Sequence, residues 1–200
     1  MLSVVIPSYN DAKNITLAIA SANQIKYVSE IIIVDDCSTD NTQLIIKDIK
    51  VNCKKIKYYR NSVNQGSGLT FLKGLEKIKN SYVIMLNSDD FFIPKAIEKL
   101  FEYTIKNDLD LGYGKMSIKK NSGIHKYVHP GYKNKSYVDN RNELQDLLIF
   151  DMYIPSFGAV INYDKIKKFY NKKYYESLNY NFGKSLKAHD YDLFLNLAKK

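Results

Sequence analysis

Tyr82 to Pro94 reads YVIMLNSDDFFIP. Tyr82 through Leu86 form an apolar run that is too short to cross a membrane and suits a buried strand. The run stops at Asn87-Ser88-Asp89-Asp90, a polar cluster with two adjacent carboxylates. Phe91, Phe92 and Ile93 follow, then Pro94, well placed for the first turn of a helix. In open α/β sheets the ligand crevice lies beyond the carboxyl ends of the strands. Two carboxylates there suit a hard divalent cation, which takes oxygen ligands and bridges them to phosphates. A polar turn capping the next helix would use the same residues, and this stretch alone leaves both readings open.

The chain before this stretch repeats its plan. Leu2 to Ile6 is an apolar, β-branched run broken by Pro7-Ser8-Tyr9-Asn10-Asp11. Ile15, Ala18, Ile19 and Ala22 give helical spacing from Ala12 to about Ile25, with Asn10 or Asp11 as a cap. Glu30 to Val34 is a second strand ending on Asp35-Asp36, and Ser38 to Thr42 can cap a helix running to about Ile49. Lys54 to Tyr59 reads as a third strand, Arg60 to Gly68 as a loop, Leu69 to Lys79 as a helix, and Pro94 to Lys106 as another. This alternation predicts an α/β class with a mostly parallel sheet. It gathers three polar strand ends on one edge: Pro7 to Asn10, Asp35-Asp36, and Asn87 to Asp90. The pattern changes after Leu111. Strands are expected at Tyr113–Ile118, His125–Val128 and Phe157–Ile161. Helices are expected at Asn142–Ile149, Asp164–Tyr170 and His189–Lys199, with Tyr174 to Lys187 irregular. Residues 1–111 therefore read as a nucleotide platform, and 112–200 as a smaller cover belonging to the same domain.

A net charge of +9 and a pI near 9.2 call for an acidic partner: nucleic acid, anionic lipid headgroups or a phosphorylated small molecule. No arginine-rich stripe appears, which argues against dedicated nucleic-acid binding. Cys37 and Cys53 have neither metal spacing nor a disulfide framework, so a cytoplasmic setting is expected and Cys37 reads as structural. The N-terminus does not resemble a signal peptide, and no apolar run reaches about 18 residues. Gly66-Ser67-Gly68 lacks the third glycine and the position of a dinucleotide fingerprint. His125 and His129 could share a strand face, but no third zinc ligand accompanies them, and a surface or acceptor-cleft role is the better reading. Tyr163 to Tyr180 holds tyrosines suited to packing or sugar stacking. Lys165, Lys167, Lys168, Lys172 and Lys173 read as a solvated helix face that could also meet a lipid phosphate or an anionic membrane.

SVVIPSYN, IIIVDDCSTDNT, NQGSG and VIMLNSDD occur in that order, followed by IPSFGAVINYDKI and AHDYDLFL. Together they resemble the family 2 glycosyltransferases, which have the GT-A fold, over nearly the whole chain. The resemblance implies transfer of a sugar from a nucleotide-sugar donor, a UDP-sugar by default, to a hydroxyl of a glycan or lipid-linked acceptor. The expected setting is bacterial surface polysaccharide synthesis, in the cytoplasm or at the inner face of the membrane with peripheral contact. By position, residues 1–111 would bind the nucleotide sugar and 112–200 the acceptor. Pro7, Ser8, Tyr9 and Asp36 would hold the base and ribose. Asn87 and Asp89 would also line the donor site, and Asp89 and Asp90 would reach Mn²⁺ or Mg²⁺ on the diphosphate. Asp190 would be the catalytic base of a single inverting displacement. Three residues depart from the family pattern. Asn87 stands where an Asp is usual, Phe71 where an Arg is frequent, with Lys73 a possible substitute for its phosphate contact, and His189 replaces a Glu beside Asp190. These departures motivate a second expectation, a nucleotide-sugar-binding module with little or no transfer.

Overall fold

The computed structural model describes residues 1–114, 117–120, 123–126 and 158–167. Strands and helices alternate through β1 (Leu2–Ser8), α1 (Ile15–Asn23), β2 (Val28–Asp35), α2 (Thr42–Asn52), β3 (Ile56–Arg60), α3 (Ser67–Leu75), β4 (Tyr82–Met85) and α4 (Pro94–Lys106). Four short strands and a helical turn follow: β5 (Leu111–Gly112), β6 (Ser117–Lys120), β7 (Gly123–Lys126), β8 (Val160–Asn162) and α5 (Tyr163–Ile166). Six strands form one sheet in the order β3-β2-β1-β4-β8-β5. The first four are parallel, while β8 runs antiparallel to both β4 and β5.

The continuous apolar strands are explained by burial on both faces. Val4 and Ile6 of β1 face a core shared with Ile15 and Ile19 of α1, Ile46 of α2 and Phe101 of α4. Val5 faces the opposite core with Phe71, Leu72 and Leu75 of α3. Helix α3 lies so close to β1 that a Cβ on Gly74 would stand 2.3 Å from Val5 Cγ1. Phe71, expected where an arginine is frequent, is therefore core, 7% exposed.

Register sets the sheet's working edge. Ser8 pairs with Asp35, Asp35 with Arg60, and Val5 with Met85. Strands β1 and β2 therefore end level, while β4 stops earlier, opposite Val5, and the chain runs on through Asn87 to the same edge, so the three expected polar ends do meet there. The opposite edge carries a different kind of carboxylate. Glu30, 4% exposed, accepts from Ser3 Oγ and Lys79 N, both at 2.6 Å, and pairs with Lys57 Nζ. Desolvation pushes its carboxyl up, but these donors outweigh it and hold the group below the usual glutamate range.

Several boundaries differ from expectation. Helix α3 starts two residues earlier than the Leu69 expected and ends at Leu75. Of the strand expected at Tyr113–Ile118, Tyr113 and Gly114 lie outside any strand and Ser117–Ile118 belong to β6, while β5 stops before it at Gly112. Gly112 closes β5 against α4, where a Cβ would meet Thr104 Oγ1 at 1.9 Å, while β6 pairs with β7 in a separate ribbon. That ribbon's second strand spans Gly123–Lys126 rather than His125–Val128. The strand expected at Phe157–Ile161 is found at Val160–Asn162, and the next helix begins at Tyr163. The helices expected at Asn142–Ile149 and His189–Lys199 and the irregular segment Tyr174–Lys187 lie outside the described residues. Among the described residues, no helix is long and apolar enough to cross a membrane.

Candidate donor-binding site

The β1–α1 and β2–α2 turns are laced together across the sheet edge. Asn10 adopts the left-handed region, φ 51°. Its backbone N–H donates to Ser38 Oγ at 2.9 Å, and its Oδ1 accepts from Thr39 N at 2.7 Å. Asp11 N donates to Thr42 Oγ1 at 2.8 Å. Asn10 and Asp11 thus do not cap α1 as expected, because the tie to the neighbouring turn takes Asn10 and helix α1 begins only at Ile15.

Asp36 organises the third wall. It is 3% exposed, and its own N–H donates to Ser8 O at 2.8 Å. Its Oδ1 accepts from Asn61 Nδ2 at 2.7 Å and Gln65 N at 2.8 Å, while Oδ2 accepts from Gly66 N at 2.7 Å. The glycine loop after β3 is thereby folded over the strand ends. Three of roughly four carboxylate lone-pair positions are used, leaving about one for a ligand. Asn61 is itself held by Thr70 Oγ1 and by Lys73 Nζ at 2.5 Å. Lys73 is thus engaged behind Asp36 and lies outside the cleft lining. Cys37, beside Asp36, has φ 65° and directs Sγ at Ser62 O, consistent with a structural role.

These turns enclose a cleft of about 520 Å³. Of the residues assigned by sequence, Pro7, Ser8, Tyr9, Asp36, Asn87 and Asp89 all line it. Asp90 does not. Its N–H donates to Asn87 O, and its Oδ2 accepts from Asn87 Nδ2, each at 3.2 Å, on the exposed side of the same turn. The helix-cap reading of these carboxylates fails, since α4 begins after Ile93 with no side-chain cap and Pro94 in its first turn. Asp190 and His189 lie outside the described residues.

The lining also contains a carboxylate that the sequence reading treated only as a cap, Asp11. Its Oδ1 accepts from Asn14 Nδ2 at 2.7 Å, but its Oδ2 is buried without a partner, as is Ser8 Oγ. Nothing in the spacing marks Asp11, and only the folded turn aims it inward. Buried polar atoms ordinarily find partners, so orphans facing a cleft point to ligand groups. The cleft holds Asp11, Asp36 and Asp89, with no Lys or Arg among its described lining residues. Desolvation, then Asp90 and Asp11, push the Asp89 carboxyl above the usual aspartate range, although the residue as a whole is exposed. This donor set of hard oxygens fits Mg²⁺ or Mn²⁺. Among the described residues no cluster of three or more ligating side chains surrounds one point.

The comparisons agree with this geometry. The model of the glycosyl transferase family 2 matches residues 3–175, and the chain belongs to that family. It is 32% identical over 175 residues to the Staphylococcus aureus poly(ribitol-phosphate) β-N-acetylglucosaminyltransferase TarP, covering 83% of this chain and 51% of that protein. It is 29% identical over 132 residues to the Escherichia coli UDP-Glc:α-D-GlcNAc-diphosphoundecaprenol β-1,3-glucosyltransferase WfgD, covering 65% of this chain and 51% of that one. The S. aureus TarS 1–349 structure with UDP superposes on 98% of this chain and 55% of its own, with a TM-score of 0.67 at 19% identity, which shows a shared GT-A fold. The same protein with UDP-GlcNAc matches 55% of this chain and 32% of its own, with a TM-score of 0.51 at 26% identity. The chain spans about half the length of these two relatives.

Two outcomes follow from the orphan atoms and the crowded carboxylates. Ser8→Ala removes a buried hydroxyl that has no partner, so the free protein should melt no lower than the parent, while affinity for a nucleoside diphosphate falls by about 3- to 10-fold. A lowered melting temperature with unchanged affinity would assign Ser8 to the fold alone. For Asp89, a raised native pKa means that the charged form is disfavoured in the folded protein. That penalty is present above the native pKa and is relieved as pH falls through it. Removing the Asp11 charge should lower the Asp89 pKa. Carboxyl NMR titration should therefore place the Asp89 midpoint lower in Asp11→Asn than in the parent. An unmoved midpoint would separate the two carboxylates.

Proposed function

We propose that this chain transfers a sugar, with inversion, from a nucleoside-diphosphate sugar to a hydroxyl of a bacterial cell-surface glycan acceptor. The observation that carries the reading is the cleft itself, in which the strand-end residues of three family motifs converge beside two unpartnered polar atoms. Relatives named for teichuronic acid, poly(ribitol-phosphate) and diphosphoundecaprenol glycans support the class of acceptor. Structures of TarS with UDP and UDP-GlcNAc support a uridine nucleotide as donor.

On this reading the Pro7-Ser8-Tyr9 turn and Asp36 receive the nucleoside, Ser8 Oγ and Asp11 Oδ2 taking hydroxyl or N–H groups of the ligand. Asn87 and Asp89 stand at the diphosphate end. Asp89 and Asp90 would hold Mg²⁺ or Mn²⁺, whose chemistry is to neutralise charge developing on the leaving diphosphate. Asn87 keeps an acceptor oxygen in place of a charge and ties the Asp90 carboxylate within the turn. Asp190 would accept the acceptor's proton, so that one displacement inverts the anomeric centre.

Two experiments test this reading. Calorimetry should show UDP binding at least about 10-fold more tightly with Mg²⁺ or Mn²⁺ than with chelator, a difference that Asp90→Ala largely abolishes. Equal affinities with cation and chelator would remove the metal role. Asp190→Asn should keep UDP affinity and melting temperature near parental values while transfer falls by about 10²–10⁴-fold. Transfer at the parental rate would place the base elsewhere, and UDP binding without turnover in the parent would favour the binding-module reading.

A further inference from the structure

Charge is unevenly divided along the chain. Sixteen of the 30 basic side chains and eight of the 21 acidic ones fall after residue 114, so that stretch carries +8 of the net +9. Between Asp110 and Asp139 lie six lysines, two histidines and no acidic residue. The β6–β7 ribbon sits inside this basic run.

Topology fixes where the run leaves the sheet. Gly112 is level with Val160, and Val160 with Ile84, so β5 rises parallel to β4 and ends at the same edge. The chain returns at Gly158, in the left-handed region at φ 83°, whose N–H donates to Met85 O at 3.0 Å. Met85 is two residues from Asn87 in the cleft wall. The basic excursion therefore starts and finishes on the edge that carries the donor cleft.

We propose that the β6–β7 ribbon is the docking element for a phosphate-bearing, polyanionic acceptor chain, an inference that rests on the transferase reading above. Such an acceptor must approach a cleft lined by Asp11, Asp36 and Asp89, with no cation among its described lining residues, and its phosphates are repelled unless cations beside the cleft hold them. The ribbon's register separates this occupant from a bilayer. Paired and alternate residues share a face, so Ser117, Lys119, Ile124 and Lys126 stand on one side and Ile118, Lys120, Gly123 and His125 on the other. Each face carries one isoleucine and at least one lysine. A membrane-surface element instead segregates its apolar residues on one face.

The test uses the whole chain, calorimetry, and three probes: a synthetic ribitol-phosphate oligomer, a neutral oligosaccharide of similar length, and phosphatidylglycerol vesicles. The parent should bind the oligomer, progressively less as salt rises, and ignore the neutral sugar. Replacing Lys119→Gln, Lys120→Gln and Lys126→Gln together should weaken the oligomer by about 10-fold, whereas the three Lys→Arg changes should preserve it. UDP affinity should be the same in all three proteins. Equal oligomer affinity in parent and glutamine variant overturns the proposal, as does parental binding that ignores salt, which decides the matter should the variant fail to fold. Lysine-dependent binding to vesicles without binding to the oligomer also overturns it. A parent that binds UDP but not the oligomer refutes the ribbon's role alone, and one that binds no UDP refutes the transferase reading.

Discussion

The site depends on one buried carboxylate. Asp36 takes donors from Asn61, Gln65 and Gly66 and gives its own N–H to Ser8, so a single residue joins the ends of β1 and β2 to the glycine loop after β3. A charged acceptor makes stronger hydrogen bonds than a neutral one. Behind it, Asn61 is fixed by Thr70 and Lys73, which ties the clamp to α3, and α3 is held against β1 through Gly74. The donor cleft is the space that this chain of contacts leaves open.

Two edges of the same sheet handle buried acid in opposite ways. Glu30 is closed off by Ser3, Lys57 and the Lys79 N–H, and its negative charge has its counterion built in. At the working edge, Asp11 keeps an oxygen without a partner, and the charge on Asp89 is disfavoured by desolvation and then by its carboxylate neighbours. That edge is arranged for charge and donors that arrive from outside. On the proposed reading a cation would supply the charge, and hydroxyl and N–H groups of the nucleotide the donors. Asn87 still closes the turn, and Phe71 fills the core between α3 and the sheet.

The parallel platform was legible in the sequence because two-sided burial writes itself as unbroken β-branched runs, as in Leu2–Ile6 and Ile31–Val34. The convergence of Pro7, Asp36 and Asp89 followed from alternation alone, since parallel strands must all end on one side. Asp11 was not legible. Its inward aim comes from the left-handed turn at Asn10 and from the tie to Thr42, both set by tertiary contacts. The short strand ending at Gly112 was equally hidden, since its close fit against Thr104 is a tertiary contact. Local apolar pattern cannot report a contact made with another helix.

Asp36→Asn gives the most direct test of the clamp. An amide offers one acceptor oxygen and one donor nitrogen, so it must set its NH₂ against Gly66 N–H or against the Asn61 and Gln65 donors. The fold should persist while amide hydrogen exchange at Gln65 and Gly66 accelerates and UDP affinity drops by about 10-fold. Unchanged exchange at both amides together with parental UDP affinity would contradict the claim that this carboxylate builds the cleft.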